Sequence, residues 1–170
     1  MCVARIRTRL DVSRYRKGVN DIVDSLSIRQ QSWLGIEPPE SQYLSRMSEK
    51  SVEKRFVVYG FDGKMVAFFD FFRDANRKKP NLLACCAVHR QYQGRGYGEF
   101  IVKTAMNWFY ENGSHYGTLY WKVSLENNVS VQLAVRNRLK FLGMKNGWAY
   151  YCDDDTESRE RKVRKYSYWN

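Results

Sequence analysis

Apolar and polar residues alternate over residues 3–10, VARIRTRL, which predicts a half-exposed strand. Asp11 is placed to cap a following helix, on which Val12, Tyr15, Val19, Ile22, Val23 and Leu26 form an apolar stripe. Residues 27–40, with Trp33, Leu34, Gly35, Pro38 and Pro39, read as a loop. A shorter helix over Ser41–Lys50 turns Tyr43, Leu44 and Met47 inward. Residues 55–61 and 64–72 are aromatic and β-branched and predict two strands, with Asp62-Gly63 between them as a two-residue hairpin turn. Asp74–Pro80 is a charged loop.

Leu82–Val88 is an apolar run of strand length, followed by the glycine-rich loop HRQYQGRG. Next, Phe100, Ile101, Ala105, Trp108 and Phe109 recur at helical spacing, and Asn112-Gly113 gives a stop signal. Thr118–Ser124 alternates as a strand. Asn127 or Asn128 caps a helix that carries Val131, Val135, Leu139 and Leu142 and reaches Gly143. Trp148–Cys152 and Val163–Trp169 predict two final strands around the acidic turn DDDTE. The resulting order, β-α-α-β-β-β-α-β-α-β-β, implies one α/β (α+β) domain over residues 1–170, a mixed sheet with helices on both faces. No internal repeat or low-complexity linker divides it.

The strand, glycine loop and helix over residues 81–112 carry the chemistry. Free backbone N–H groups in the first helical turn, together with the helix dipole, make an anion site, and glycines let the backbone approach a bulky pyrophosphate. The glycines at 94, 96 and 98 do not fit G-x-G-x-x-G, nor is there a G-x-x-x-x-G-K-[ST]. They fit Q/R-x-x-G-x-G/A, read as Gln93, Gly94, Arg95, Gly96, Tyr97 and Gly98. With Ala87-Val88-His89 and Tyr92 before it, this segment resembles the coenzyme A loop of the GCN5-related N-acetyltransferase (GNAT) superfamily. The element order is similar to that fold over nearly the whole chain, which implies a mostly antiparallel sheet.

The resemblance implies an N-acetyltransferase, with acetyl-CoA as co-substrate and an amine on a small molecule or protein as acceptor. Backbone at Ala87, Val88 and His89 would hold the pantetheine arm and polarise the thioester carbonyl. The N–H groups of Gly94 to Gly98 would hold the pyrophosphate, with Gln93 shaping the loop and Arg95 adding charge. Asn127 or Asn128 would touch the pantetheine. The acceptor site would be built by the first two helices, their loop and the last hairpin, where Trp33 and Leu34 form a lid or tuck into the core.

Two departures from the family stand out. The strand Leu82–Val88 lacks the carboxylate that many members use as general base, leaving Glu126, Asp70 and His89 as neighbouring candidates. Asp70 otherwise reads as a solvent-facing strand residue and His89 as an edge residue. The usual proton-donating Tyr is also missing: counting back four from Gly143 gives Leu139, and counting forward seven from Asn127 or Asn128 gives Ala134 or Val135. Tyr120, Tyr150 and Tyr168 are the remaining candidates. Hence a coenzyme A-binding module without turnover is an alternative reading.

Composition adds limits. The chain has 170 residues, 44% hydrophobic and 15% aromatic, enough for a core. No apolar run approaches the roughly 20 residues of a membrane helix, and Met1–Leu10 has no apolar leader segment, so a soluble, cytoplasmic protein is expected. Its four cysteines form no C-x-x-C pair and read as reduced, buried thiols, and with two histidines they do not suggest a zinc site. The net charge of +11, concentrated in Arg5–Lys17 and Arg159–Lys165, raises a third reading, a nucleic-acid-binding protein. The terminal strand, ending at Asn170, offers an edge for a homodimer.

Overall fold

The computed structural model describes residues 2–5, 15–34, 52–74, 81–112 and 115–153. The strands are β1 (Cys2–Arg5), β2 (Val52–Tyr59), β3 (Met65–Asp74), β4 (Asn81–Val88), β5 (Leu119–Ser124), β6 (Lys140–Lys145) and β7 (Trp148–Asp153). The helices are α1 (Arg16–Ser25), α2 (Ile28–Trp33), α3 (Tyr97–Asn112) and α4 (Asn128–Arg136). Strand order is β1-β2-β3-β4-β5-β7-β6, and the pairs β1·β2, β2·β3, β5·β7 and β6·β7 are antiparallel. The fold is α+β with a mostly antiparallel sheet. Two compact units share β4 and α3: residues 1–73 with 84–101, and residues 74–83 with 102–170.

In the first unit, β2 and β3 are buried on both faces. Val66, Ala67, Phe68, Phe69 and Phe71 are all fully buried, so the uninterrupted apolar run reads as a central strand rather than a half-wet one. Inside this hydrocarbon sits one ion pair. Arg55 on β2 is directly opposite Asp70 on β3, and its Nε and Nη2 each donate to a different carboxylate oxygen at 2.7 Å. Both side chains are 0% exposed, so Asp70 is not solvent-facing as its place on the strand suggested. Burial pushes the Asp70 carboxyl up, while the Arg55 guanidinium pulls the other way.

The β2–β3 connection is longer than the Asp62-Gly63 signal predicts. Tyr59 pairs with Met65, leaving five residues, 60–64. Gly60 N–H donates to Lys64 O and Gly63 N–H to Gly60 O, with Gly63 at φ 73°. The segment expected to be loop also differs, because residues 28–33 form α2. Its signal was a capping box: Ser27 Oγ accepts from Gln30 N–H and Gln30 Oε1 accepts from Ser27 N–H. On α1, Val19, Ile22 and Val23 are buried, as the stripe predicts. Asp11, Val12 and the expected Ser41–Lys50 helix lie outside the described residues, as does Val163–Trp169.

In the second unit, α4 stops at Arg136 instead of running to Leu142. Leu139 N–H donates to Ala134 O and Arg138 N–H to Val135 O, a Schellman motif with Arg138 at φ 57°. Glycine normally fills that position, and its absence hid the stop. Leu133 and Ala134 are buried, whereas Val135 and Leu142 are exposed, contrary to the expected stripe. Lys140–Lys145 is instead a strand, joined to β7 by Asn146-Gly147 with both residues at positive φ. That dipeptide is the strongest short hairpin signal in a sequence. The element order therefore matches the predicted string, but with a different second helix and different last strands.

Two expectations follow. Arg138→Gly should stabilise the protein by about 1 kcal/mol, read by urea unfolding, since it removes a side chain from a left-handed residue. Asp70→Asn should cost about 3–5 kcal/mol by stranding a buried guanidinium, while Arg55→Met/Asp70→Leu together should recover most of it.

Candidate functional site

The loop after β4 is the candidate site, and it is built within the first unit. At the strand's end, His89 N–H donates to Val66 O on β3 at 2.8 Å. A three-residue 3₁₀ turn, Arg90–Tyr92, follows, capped by His89 Nδ1 accepting from Gln91 N–H. Tyr92 N–H donates to His89 O, closing the turn.

Gln93 then spans the loop. Its Nε2 donates to Val88 O at 3.0 Å, and its Oε1 accepts from Gln30 Nε2 on α2 at 3.1 Å. Tyr92 OH donates to Asp62 Oδ2 at 2.6 Å, tying the loop to the β2–β3 turn. This bond holds the Asp62 carboxyl below its ordinary range and pushes the Tyr92 phenol up. The Arg95 guanidinium lies 5.5 Å over the Tyr92 ring, on an exposed side chain. The sequence located the loop but missed these braces, because Gln30 and Asp62 are distant in the chain.

Gly94 and Gly96 are at φ 74° and 82°, a conformation that L side chains rarely adopt, and a Cβ on either would meet nothing within 4 Å. The glycines there serve the backbone turn, not a tight contact. Gly98 differs. It has no such φ, and a Cβ would meet Val88 Cγ2 at 3.5 Å, ordinary contact. The last position of the motif thus accepts alanine on physical grounds. The first intrahelical bond of α3 is Phe100 N–H to Gly96 O at 3.0 Å. The N–H groups of Gly96, Tyr97 and Gly98 therefore have no acceptor inside the helix. Three polar-backbone donors, an open loop surface and a helix dipole converge there, with exposed Arg95 alongside.

These features decide the family when set beside known proteins. The acetyltransferase (GNAT) family model matches residues 22–138, more than half of the chain. The chain belongs to the GNAT acetyltransferase family. No curated protein sequence matches it significantly. Among solved structures, the GNAT domain of S. lividans PAT is similar with TM-score 0.66 and 13% identity, covering 90% of this chain and 89% of that one. A ribosomal-protein-alanine N-acetyltransferase from Brucella melitensis gives 0.61 at 14% identity, covering 91% and 100%. A GNAT-family acetyltransferase from Streptococcus pneumoniae gives 0.61 at 12%, covering 89% and 98%. At these identities the likeness is one of fold.

The GNAT chain brings Ala87, Val88, His89 and Gln93–Gly98 together in the first unit. Asn127, Asn128, Glu126 and Tyr120 belong to the second unit. Asn127 is the cap of α4, its Oδ1 accepting from Ser130 N–H at 3.2 Å, and Asn128 is the first helical residue. Glu126 is exposed in the preceding turn, and Tyr120 and Tyr150 are half-buried. Tyr168 lies outside the described residues. Since α4 ends early, its stop is Arg138 rather than Gly143, and four residues before Arg138 stands Ala134 rather than a tyrosine. Trp33 and Leu34, at the end of α2, are half-buried.

Asp70, sealed against Arg55, has no path to a substrate proton. It acts instead on Cys86 of β4, whose thiol is pushed up to about 12 by burial and by the Asp70 carboxylate. Cys86 is therefore a protonated, poorly nucleophilic thiol. Cys85 is half-buried and Cys152 buried; neither is in a disulfide. Among the described residues, no group of three or more His, Cys, Asp or Glu could hold a metal ion, and no helix is long and apolar enough to cross a membrane.

Gly94→Ala and Gly96→Ala should each destabilise the protein by roughly 1–2 kcal/mol through left-handed backbone strain. Gly98→Ala should change stability by less than about 0.5 kcal/mol, because its Cβ finds ordinary contact. Thermal unfolding of the three variants side by side measures this contrast.

Proposed function

We infer that this protein is an acetyl-CoA-dependent N-acetyltransferase that acts by direct attack of an amine on the thioester. The observation that carries the reading is the pair of left-handed glycines, Gly94 and Gly96, opening the N-terminus of α3 directly after β4. Family membership and fold support it. The residues fit a pyrophosphate: N–H groups of Gly96 to Gly98 donate, Gly94 and Gly96 leave room, and Arg95 adds positive charge.

Bound acetyl-CoA would supply an activated acetyl thioester. The chain's part at the thioester carbonyl falls to Val88. The His89 N–H is committed to Val66 O, so strand alternation directs the Val88 N–H away from β3, and we assign it the role of oxyanion donor. Ala87 and His89 then shape the strand's end without supplying that donor. No carboxylate stands on β4 to take the amine's proton, so the amine must arrive neutral. The acceptor is an amine on a small molecule or protein, and the location is cytoplasmic. The nucleic-acid reading rests on basic runs at residues 5–17 and 159–165, most of which lie outside the described residues, and the homodimer reading rests on the terminal strand.

A second reading, a coenzyme A-binding module without turnover, is favoured by the sealing of Asp70 and by Ala134 at the tyrosine's place. Titrating acetyl-CoA into the protein by calorimetry tests both: saturable binding at about 100 μM is expected, near the upper part of usual KM values. Absence of heat there overturns the acetyl-CoA assignment. Mass spectrometry of an amine library after incubation separates the two readings, with acetylated products expected and unmodified amines pointing to the module.

A further inference from the structure

The cofactor loop is held from outside itself. At one end of the 3₁₀ turn, Arg90 N–H donates to Ser25 Oγ at 3.0 Å, and that hydroxyl donates to Ile22 O in the last turn of α1. At the other end, Gln93 meets Gln30. Both braces come from residues 25–30, the elbow between α1 and α2.

The Gln30–Gln93 contact is one link of a longer relay with a fixed direction. Ser27 N–H can only donate, and it donates to Gln30 Oε1 at 3.1 Å. Gln30 must therefore present its NH₂ to Gln93. At the far end, Val88 C=O can only accept, and it accepts from Gln93 Nε2 at 3.0 Å. Gln93 must therefore present its oxygen to Gln30. The two backbone groups at the ends settle both amide orientations, and the side chains meet donor to acceptor at 3.1 Å. The N-terminus of α2 is thereby hydrogen-bonded, through two side chains, to the last carbonyl of β4.

We propose that Gln30 is a positioning residue for the cofactor loop: it orients Gln93, and through this relay it couples occupancy of the Gly94–Gly98 loop to the ordering of α2. The proposal rests on the acetyl-CoA reading for its ligand, though the relay itself does not. Val88 is the residue whose N–H was assigned to the thioester, so the relay ends on the same peptide segment that must be held still. Coupling is reciprocal: a ligand that orders the loop orders α2, and loosening α2 weakens the ligand. The half-buried Trp33 rides on the same short helix, with the Arg29 guanidinium 6.0 Å from its ring, so ordering α2 also orders that aromatic surface.

The test exploits the relay's polarity. Gln30→Glu keeps the capping box, because Glu at that helix position accepts the same Ser27 N–H, but it turns an oxygen toward Gln93 Oε1. Thermal stability should hold. Acetyl-CoA should bind about fivefold more weakly, the factor of one exposed hydrogen bond. Repeating the titration at about 0.5 M salt screens the added charge and should leave that factor in place. Gln93→Arg alone should weaken binding similarly, since a donor then faces Gln30 Nε2. Gln30→Glu with Gln93→Arg restores donor to acceptor and should return affinity to within about twofold of the parent.

Millisecond hydrogen exchange gives the second readout. In the parent protein, acetyl-CoA should slow exchange in residues 25–34 as well as 93–100, and Gln30→Glu should remove the first effect. In the ligand-free protein, Gln30→Glu should speed exchange of the Gln93–Gly98 amides about fivefold. Unchanged ligand-free exchange, or a double variant no better than the worse single one, overturns the relay. Failure of the parent to bind acetyl-CoA overturns the functional reading instead, and the ligand-free arm still decides the relay.

Discussion

The chain has eight residues, His89 to Gly96, in which to leave a buried strand and start a helix without covering that helix's N-terminus. This constraint shapes the site. His89 N–H stays on the sheet by bonding Val66, so the turn begins from a fixed point. Two left-handed glycines then redirect the backbone at little steric cost, and α3 opens with the N–H groups of Gly96, Tyr97 and Gly98 lacking an acceptor inside the helix. A loop of this kind, rich in glycine and largely exposed, would be loose by itself. Ser25, Gln30 and Asp62 tether it at three points, so any ordering by a ligand is shared with the elements those residues belong to.

The chemistry available differs from the usual two-group arrangement of the family. Asp70, midway along β3, is held by Arg55. Its charge still reaches β4, where it helps keep Cys86 protonated. The strand itself, NLLACCAV, carries no charged side chain.

The sequence revealed most where a local signal and a long element agreed. β4, the loop and α3 carry period, glycines and a stop signal, and they appear at Asn81–Val88 and Tyr97–Asn112. It misled where one strong residue outweighed a pattern. Gly143 looked like a helix stop, yet it lies in β6, while the true stop is Arg138 in a glycine's conformation. The Asn146-Gly147 signal for the β6–β7 hairpin was legible and was masked by that longer helix. Ser27 and Gln30 likewise spelled a capping box inside a segment whose prolines and glycine argued for loop. The tethers were not legible, since Gln30 to Gln93 and Tyr92 to Asp62 depend on tertiary placement. Nor was the burial of Asp70, because alternation cannot mark a strand covered on both faces.

The Arg55–Asp70 pair has a meaning beyond the energy it contributes. Neighbours of Asp70 on β3 are Phe69 and Phe71, both fully buried. If β2 and β3 paired one residue out of step, the guanidinium would face a phenyl ring and the carboxylate would lose its partner in the middle of the sheet. Apolar strands such as these are otherwise tolerant of slippage, because one phenylalanine substitutes for another. The buried charges thus mark the register: the native alignment pairs them, whereas a slip by one residue would leave both buried without each other.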